Sequence, residues 1–105
     1  MAEATPEPGT ARIATSRWQL EPGRGFAAAA AAARVLAELG ISHLYLSPVV
    51  EAVPGSTHGY DVTDPTRLRD ELGGVDGFAG LAAACREAGL RLLVDIVPNH
   101  LAAHP

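Results

Sequence analysis

The chain has 105 residues, 48% of them hydrophobic and 19% charged, with a formal net charge of −4 at neutral pH. That length suits one small domain with a modest core, and the acidic balance, with no basic stripe, argues against nucleic acid as a partner. No apolar run approaches the roughly 20 residues of a membrane span, and the lone cysteine, Cys85, leaves no internal disulfide and points to a reducing, cytoplasmic compartment.

Residues 1–10 mix prolines, a glycine and acids between alanines, and read as a flexible arm. The opening "MAEATPEPGTARIA" has early acids and no apolar centre, so it does not read as a signal peptide. "ARIATSRWQL" (11–20) carries β-branched and aromatic residues and predicts a strand, closed by "EPGRG". "FAAAAAAARVLAEL" (26–39) predicts a helix on propensity alone. Its apolar weight falls on Phe26, Val35, Leu36 and Leu39, and Gly40 is its stop signal. The alanine run is expected to pack closely on a sheet.

"ISHLYLSPVV" (41–50) predicts a second strand, ended by Pro48. From Glu51 to Gly77 the chain holds seven glycines and prolines with no helical period, and reads as a long irregular loop of the kind that carries function. "FAGLAAACREA" (78–88) predicts a second helix, with Asp76 as N-cap, Gly89 as stop and Cys85 in the core. "LRLLVDIVP" (90–98) predicts the third strand, which turns abruptly polar at Asp95, Asn99 and His100.

"AELGISHLYLSPV" and "REAGLRLLVDIVP" each run from helix end through glycine into a strand that stops at proline. This repeated unit, with strands apolar at consecutive positions, predicts an α/β fold: a parallel sheet with flanking helices and right-handed crossovers. Ligands in such folds sit beyond the carboxyl ends of the strands. The loop from Glu51 and the polar tail of the third strand both emerge there.

The motif of Asp95, three residues, then Asn99-His100 resembles the first signature region of the alpha-amylase clan of glycoside hydrolases. "STHGYDVTDP" and "GLRLLVDIVPNH" extend that likeness, and "RWQL", "HLYLSPVVEAVPGSTHGYDVTDP" and "ELGG" are most similar to the clan's maltooligosyltrehalose synthases, from Arg17 to His100. The resemblance implies that residues 11–105 form the first three βα units of a (β/α)8 TIM barrel. That is an incomplete barrel, because the whole fold takes ~250 residues. It implies a maltooligosaccharide substrate whose reducing-end α-1,4 bond becomes an α,α-1,1 bond by intramolecular transglycosylation, through a covalent glycosyl-enzyme with water excluded.

On that resemblance Tyr60 stacks on a sugar face, His100 donates to a ring hydroxyl, and Gln19 and His58 reach the sugar rim. Asp61, Asp95 and Asn99 support the site. Each has a plainer reading: Tyr60 as a loop anchor, Asp61 as a turn residue, His58 as a tie in the loop, Asp95 as a loop cap. No catalytic residue is assigned. The retaining pair of carboxylates lies in the clan on the fourth and fifth strands, so this chain alone is expected to be inactive. No cofactor or metal is expected. His100 and His104 are spaced like a zinc pair, but the glutamate of the metalloprotease motif and a third ligand are missing. The rival expectations are another hydrolase of the same clan and a non-catalytic βα module.

Overall fold

The computed structural model describes residues 13–97. The predicted arm at residues 1–10, and the expectations for Asn99, His100 and His104, lie outside the described residues. Three parallel strands form the central sheet: β1 (Thr15–Trp18), β2 (His43–Leu46) and a last strand, β5 (Arg91–Val94), in the order β1-β2-β5. Trp18, Leu46 and Val94 stand side by side at their carboxyl ends. Helix α1 (Phe26–Glu38) connects β1 to β2, and α2 (Gly74–Ala88) leads into β5. Leu44 and Leu46 are buried in the core cluster with residues of both helices, so the helices cover one sheet face. Thr15, Arg17, His43, Tyr45, Arg91 and Leu93 alternate onto the other.

Each strand is shorter than its apolar run, because the ladder stops where prolines and polar groups begin. Beyond the ladder, Ser47 N–H still donates to Trp18 C=O at 3.1 Å, and the buried Ser47 Oγ accepts from Leu20 N–H at 2.7 Å. Both helices end as their glycines predict. Gly40 and Gly89 take left-handed φ values of +93° and +81°, and Ile41 and Leu90 N–H reach back to Leu36 and Cys85 C=O.

Three local readings are corrected. The stretch from Glu51 to Gly77 is not one irregular loop. Strand β3 (Val50–Ala52) and strand β4 (Val62–Leu68) pair antiparallel, with register shifts on either side of Glu51, and a 3-10 turn (Asp70–Leu72) follows. Pro65 hides β4 from a sequence reading because it breaks the ladder pattern, yet a proline is tolerated in a short, irregular edge pair. Helix α2 starts four residues earlier than expected, behind Gly73 at φ +122°, and Asp76 sits inside its first turn rather than at its cap, where its charge still favours the helix dipole.

Third, the buried residues of α1 are Phe26, Ala29 and Ala33, while Val35 and Leu39 are 56% and 74% exposed. The close contact of α1 with α2 selects small side chains and leaves no room for the larger ones. Phe26 meets Phe78 edge-to-face at 5.4 Å, and a Cβ on Gly77 would come within 3.3 Å of the Phe26 ring. Cys85 is in this core as expected, and burial raises its thiol pKa.

The hairpin is clasped from beneath by Arg69. Its side chain is fully buried; Nη2 donates to Ser56 C=O at 2.9 Å and to Glu71 Oε1 at 2.7 Å. Glu71 in turn accepts Gly55 N–H on both oxygens at 3.1 Å. The bonds from Arg69, and then from Gly55, hold the Glu71 carboxyl below its ordinary value of 4.5. A carboxylate with a depressed folded pKa adds stability above its ordinary value and loses it as pH falls. We therefore expect the Glu71→Gln variant to be less stable than the parent at neutral pH, with the difference shrinking as pH drops below 4.5, measured by urea unfolding across pH.

Gly25 is the second test of the packing. A Cβ there would lie 2.4 Å from Leu72 C=O, a backbone atom that cannot swing away. Gly25→Ala is expected to cost about 1–3 kcal/mol by overpacking. Gly80, on α2 with nothing within 4 Å of its would-be Cβ, is the control. Gly80→Ala should gain roughly 0.5–1 kcal/mol from helix propensity. Chemical denaturation of the two variants checks both signs.

Candidate functional site

The carboxyl ends of β1, β2 and β5 carry a polar cluster built by three separate parts of the chain. Register places Arg17 one residue before the end of β1, beside Tyr45 of β2. Asp95 follows Val94 directly, anchored by its own N–H donating to Leu46 C=O at 2.9 Å. Tyr60 arrives from the tip of the β3–β4 hairpin. Its hydroxyl donates to Asp95 Oδ2 at 2.5 Å and accepts from Arg17 Nη2 at 2.7 Å. One phenol oxygen thus joins the two edge strands of the sheet.

The hairpin tip that delivers Tyr60 is wound tightly around Ser56. Ser56 Oγ donates to Asp61 Oδ1 at 2.7 Å and accepts Gly59 N–H at 3.1 Å. Gly59 takes φ +79°, and a Cβ on it would approach Pro48 C=O to 3.2 Å, so the Gly-Tyr step needs its glycine twice over. His58 Nδ1 accepts Tyr60 N–H at 3.0 Å, and the two rings stack with centroids 6.0 Å apart and planes 17° from parallel. His58 Nε2 lies 3.9 Å from Asp61, beyond a hydrogen bond.

The electrostatics follow from the same contacts. The bond to Asp95, then burial, raises the Tyr60 phenol above its ordinary 10.0, and Arg17 opposes the rise. The bond to Tyr60 raises the Arg17 guanidinium further above its already high value. The phenol is therefore neutral across the physiological range, and donates its proton to the carboxylate.

Of the residues singled out from sequence, the structure brings Tyr60, Asp95, His58 and Gln19 to one end of the sheet, with Asp61 in the loop behind. Gln19 has both ends of its amide occupied: Oε1 accepts from Arg17 at 3.2 Å and Nε2 donates to Thr57 C=O at 2.9 Å. It acts as a strut between β1 and the hairpin. Asp61 accepts the Ser56 hydroxyl at 2.7 Å within the loop. Arg17 was missed. The signal was available in the alternation of β1: a cation two residues from Thr15, on the sheet face away from the helices. An apolar cavity of about 170 Å³, lined by Pro48, Val49, Val62, Pro65, Val94 and Asp95 among others, opens beside the cluster. A larger open groove of about 640 Å³ is lined by alanines of α1 and α2 together with Arg34, Glu38 and Glu87. Among the described residues no three His, Cys, Asp or Glu side chains converge as metal ligands, and no helix is long and apolar enough to cross a membrane.

Comparison with known proteins bears on this end of the sheet. Residues 34–104 match the family model of the alpha amylase catalytic domain. A putative maltooligosyl trehalose synthase of Mycobacterium tuberculosis is 65% identical over 66 residues, 63% of this chain and 9% of that protein. Among solved structures, the DSM5389 glycosyltrehalose synthase superposes with a TM-score of 0.85 at 47% identity, over 89% of this chain and 13% of its own. The maltooligosyltrehalose synthase of Arthrobacter ramosus superposes with a TM-score of 0.82 at 42% identity, over 86% of this chain and 12% of its own. The chain thus spans about a tenth of the length of these relatives. That family model covers more than half of the chain, and the chain belongs to the alpha-amylase catalytic-domain family.

Proposed function

We propose that this chain is the opening segment of a (β/α)8 catalytic barrel in a cytoplasmic maltooligosyltrehalose synthase, with residues 11–105 as its first three strands. In this reading the enzyme converts the reducing-end α-1,4 bond of a maltooligosaccharide into an α,α-1,1 bond, and this segment supplies one wall of the sugar site. The observation that carries it is the Arg17–Tyr60–Asp95 cluster at the carboxyl ends of the strands, in a chain 65% identical to a putative synthase over 66 residues, 63% of its length.

Tyr60 is the stacking platform. Its hydroxyl is engaged on both sides, so what it offers a sugar is ring area, suited to the apolar face of a pyranose. In place of the sugar-rim contacts expected from sequence, His58 backs the ring and Gln19, whose amide is occupied at both ends, holds the hairpin with Asp61; Asn99 braces the turn after β5. His100 donates a hydrogen bond to a sugar hydroxyl as charge develops at the anomeric carbon. Asp95 is a support rather than a nucleophile, because its carboxylate is committed to Tyr60. The retaining pair of carboxylates is assigned to other strands of the barrel, and no catalytic residue, cofactor or metal is proposed for this segment.

The test is a chimera. Residues 13–105 replace the matching stretch of the Arthrobacter ramosus enzyme, and maltopentaose is the substrate. The expected product is non-reducing. His100→Ala should lower turnover by roughly a hundredfold, as for loss of one preorganised donor at developing charge. Tyr60→Ala should harm both turnover and affinity, by on the order of 1 kcal/mol beyond its area, and His104→Ala should change little. Release of reducing sugars instead would move the assignment to a hydrolase of the same family. A His104→Ala loss equal to that of His100→Ala would sink the sugar-face roles.

A further inference from the structure

We propose that Arg17 is a positioning residue for the sugar platform, setting the Tyr60 ring by holding its hydroxyl against Asp95; the inference rests on the reading of Tyr60 given above. A ring that stacks on a sugar must be fixed in two ways. The direction of its long axis must be set, and its rotation about that axis must be stopped.

The contacts divide this work. At the far end of the axis the phenol oxygen is held from both edges of the sheet, by Arg17 of β1 at 2.7 Å and by Asp95 beyond β5 at 2.5 Å. Rotation is opposed by His58, which lies against one face of the ring with planes 17° apart. That leaves the opposite face for a sugar. Arg17 bonds the hydroxyl, and its guanidinium carbon sits over the ring 5.9 Å from the centroid, at the long end of the range for a cation over an aromatic face.

Arg17 is itself held. The same Nη2 also donates to Gln19 Oε1 at 3.2 Å, and Gln19 is tied to the hairpin at Thr57 C=O. The guanidinium carbon also lies 5.5 Å from the centre of the Tyr45 ring on the neighbouring strand. An arginine this close to solvent has many rotamers to choose from, and ordering it costs side-chain entropy. Contacts to three side chains, Tyr45, Tyr60 and Gln19, from three parts of the chain select one. The donor from Arg17 also polarises the phenol, which strengthens the bond that Tyr60 makes to Asp95.

The experiment is a double-mutant cycle of Arg17→Met and Tyr60→Phe in the chimera, with maltopentaose kinetics. Tyr60→Phe keeps the ring and removes the oxygen through which Arg17 acts. Each single variant is expected to lower kcat/KM about tenfold, mostly through KM, since a misplaced platform weakens ground-state and transition-state binding alike. The double variant should be no worse than Tyr60→Phe alone, and Arg17→Lys should recover part of the loss because an ammonium can still donate to the phenol. A purely structural role for Arg17 would lower thermal stability without this coupling and without rescue by lysine. Additive losses, or an Arg17→Met variant within about twofold of the parent, would overturn the proposal while leaving the synthase reading intact. If the chimera hydrolyses maltopentaose instead, the synthase reading falls and the cycle is scored on hydrolysis. If it acts on no α-glucan, both fall.

Discussion

A charged side chain with no exposure to water sets the shape of the hairpin, and the hairpin sets the site. Burying a guanidinium costs several kcal/mol unless its donors find acceptors. Arg69 meets that demand with the Ser56 carbonyl and the Glu71 carboxylate. Both acceptors belong to the wall or floor of the loop that carries Tyr60, so their geometry cannot relax independently of it. Ser56 is the hinge of this arrangement. Its carbonyl faces Arg69, its hydroxyl faces Asp61, and the same oxygen receives Gly59 N–H one residue before the platform. The remaining Arg69 nitrogen, Nη1, has no partner among the described residues, and the carbon that any side chain at 59 would add comes within 3.9 Å of it. Glycine at that step is thus required by φ and by the Pro48 carbonyl together.

The helix layer solves a different problem. Two helices must lie side by side over a narrow parallel sheet, and α1 does so with alanines at 29 and 33 under a single large anchor, Phe26. Small residues contribute little burial each, so the layer relies on closeness: Gly25 against the Leu72 backbone, Gly77 against the Phe26 ring. This is why the start of α1 and the 3-10 turn before α2 behave as one contact. It also couples the helix layer to the hairpin, since that turn begins immediately after Arg69.

The parallel order was legible because runs of consecutive apolar residues read as parallel strands, and because glycine followed by an apolar residue marked both helix ends. The end of the sheet that carries the site was legible for the same reason, once three strands and two crossovers were in place. The hairpin was not. Its strands are short, one holds a proline, and their stability comes from a buried arginine and a serine knot that no local pattern announces. The helix face of α1 was misread because residue size was taken as a guide to burial, whereas close packing selected alanine over Val35 and Leu39. Tyr60 and Asp95 were each visible, but their bond spans 35 positions, and nothing in either neighbourhood specifies the other.

Arg17 shows where such reasoning can be extended. A strand whose one face packs on helices should present apolar or small residues on the other if that face, too, is covered. Arg17 and Arg91 break this rule on β1 and β5, and only Arg17 stands at the carboxyl end, near the residues that leave the sheet. A cation in that position can be bound by a partner that reaches it over the top of the strands. Among the described residues the hairpin and the tail of β5 reach it there, and these supply Tyr60 and Asp95. The polar cluster is thus a consequence of parallel topology: strands that all end on one side bring their terminal side chains together, and whichever of them carries charge decides what the loops must deliver.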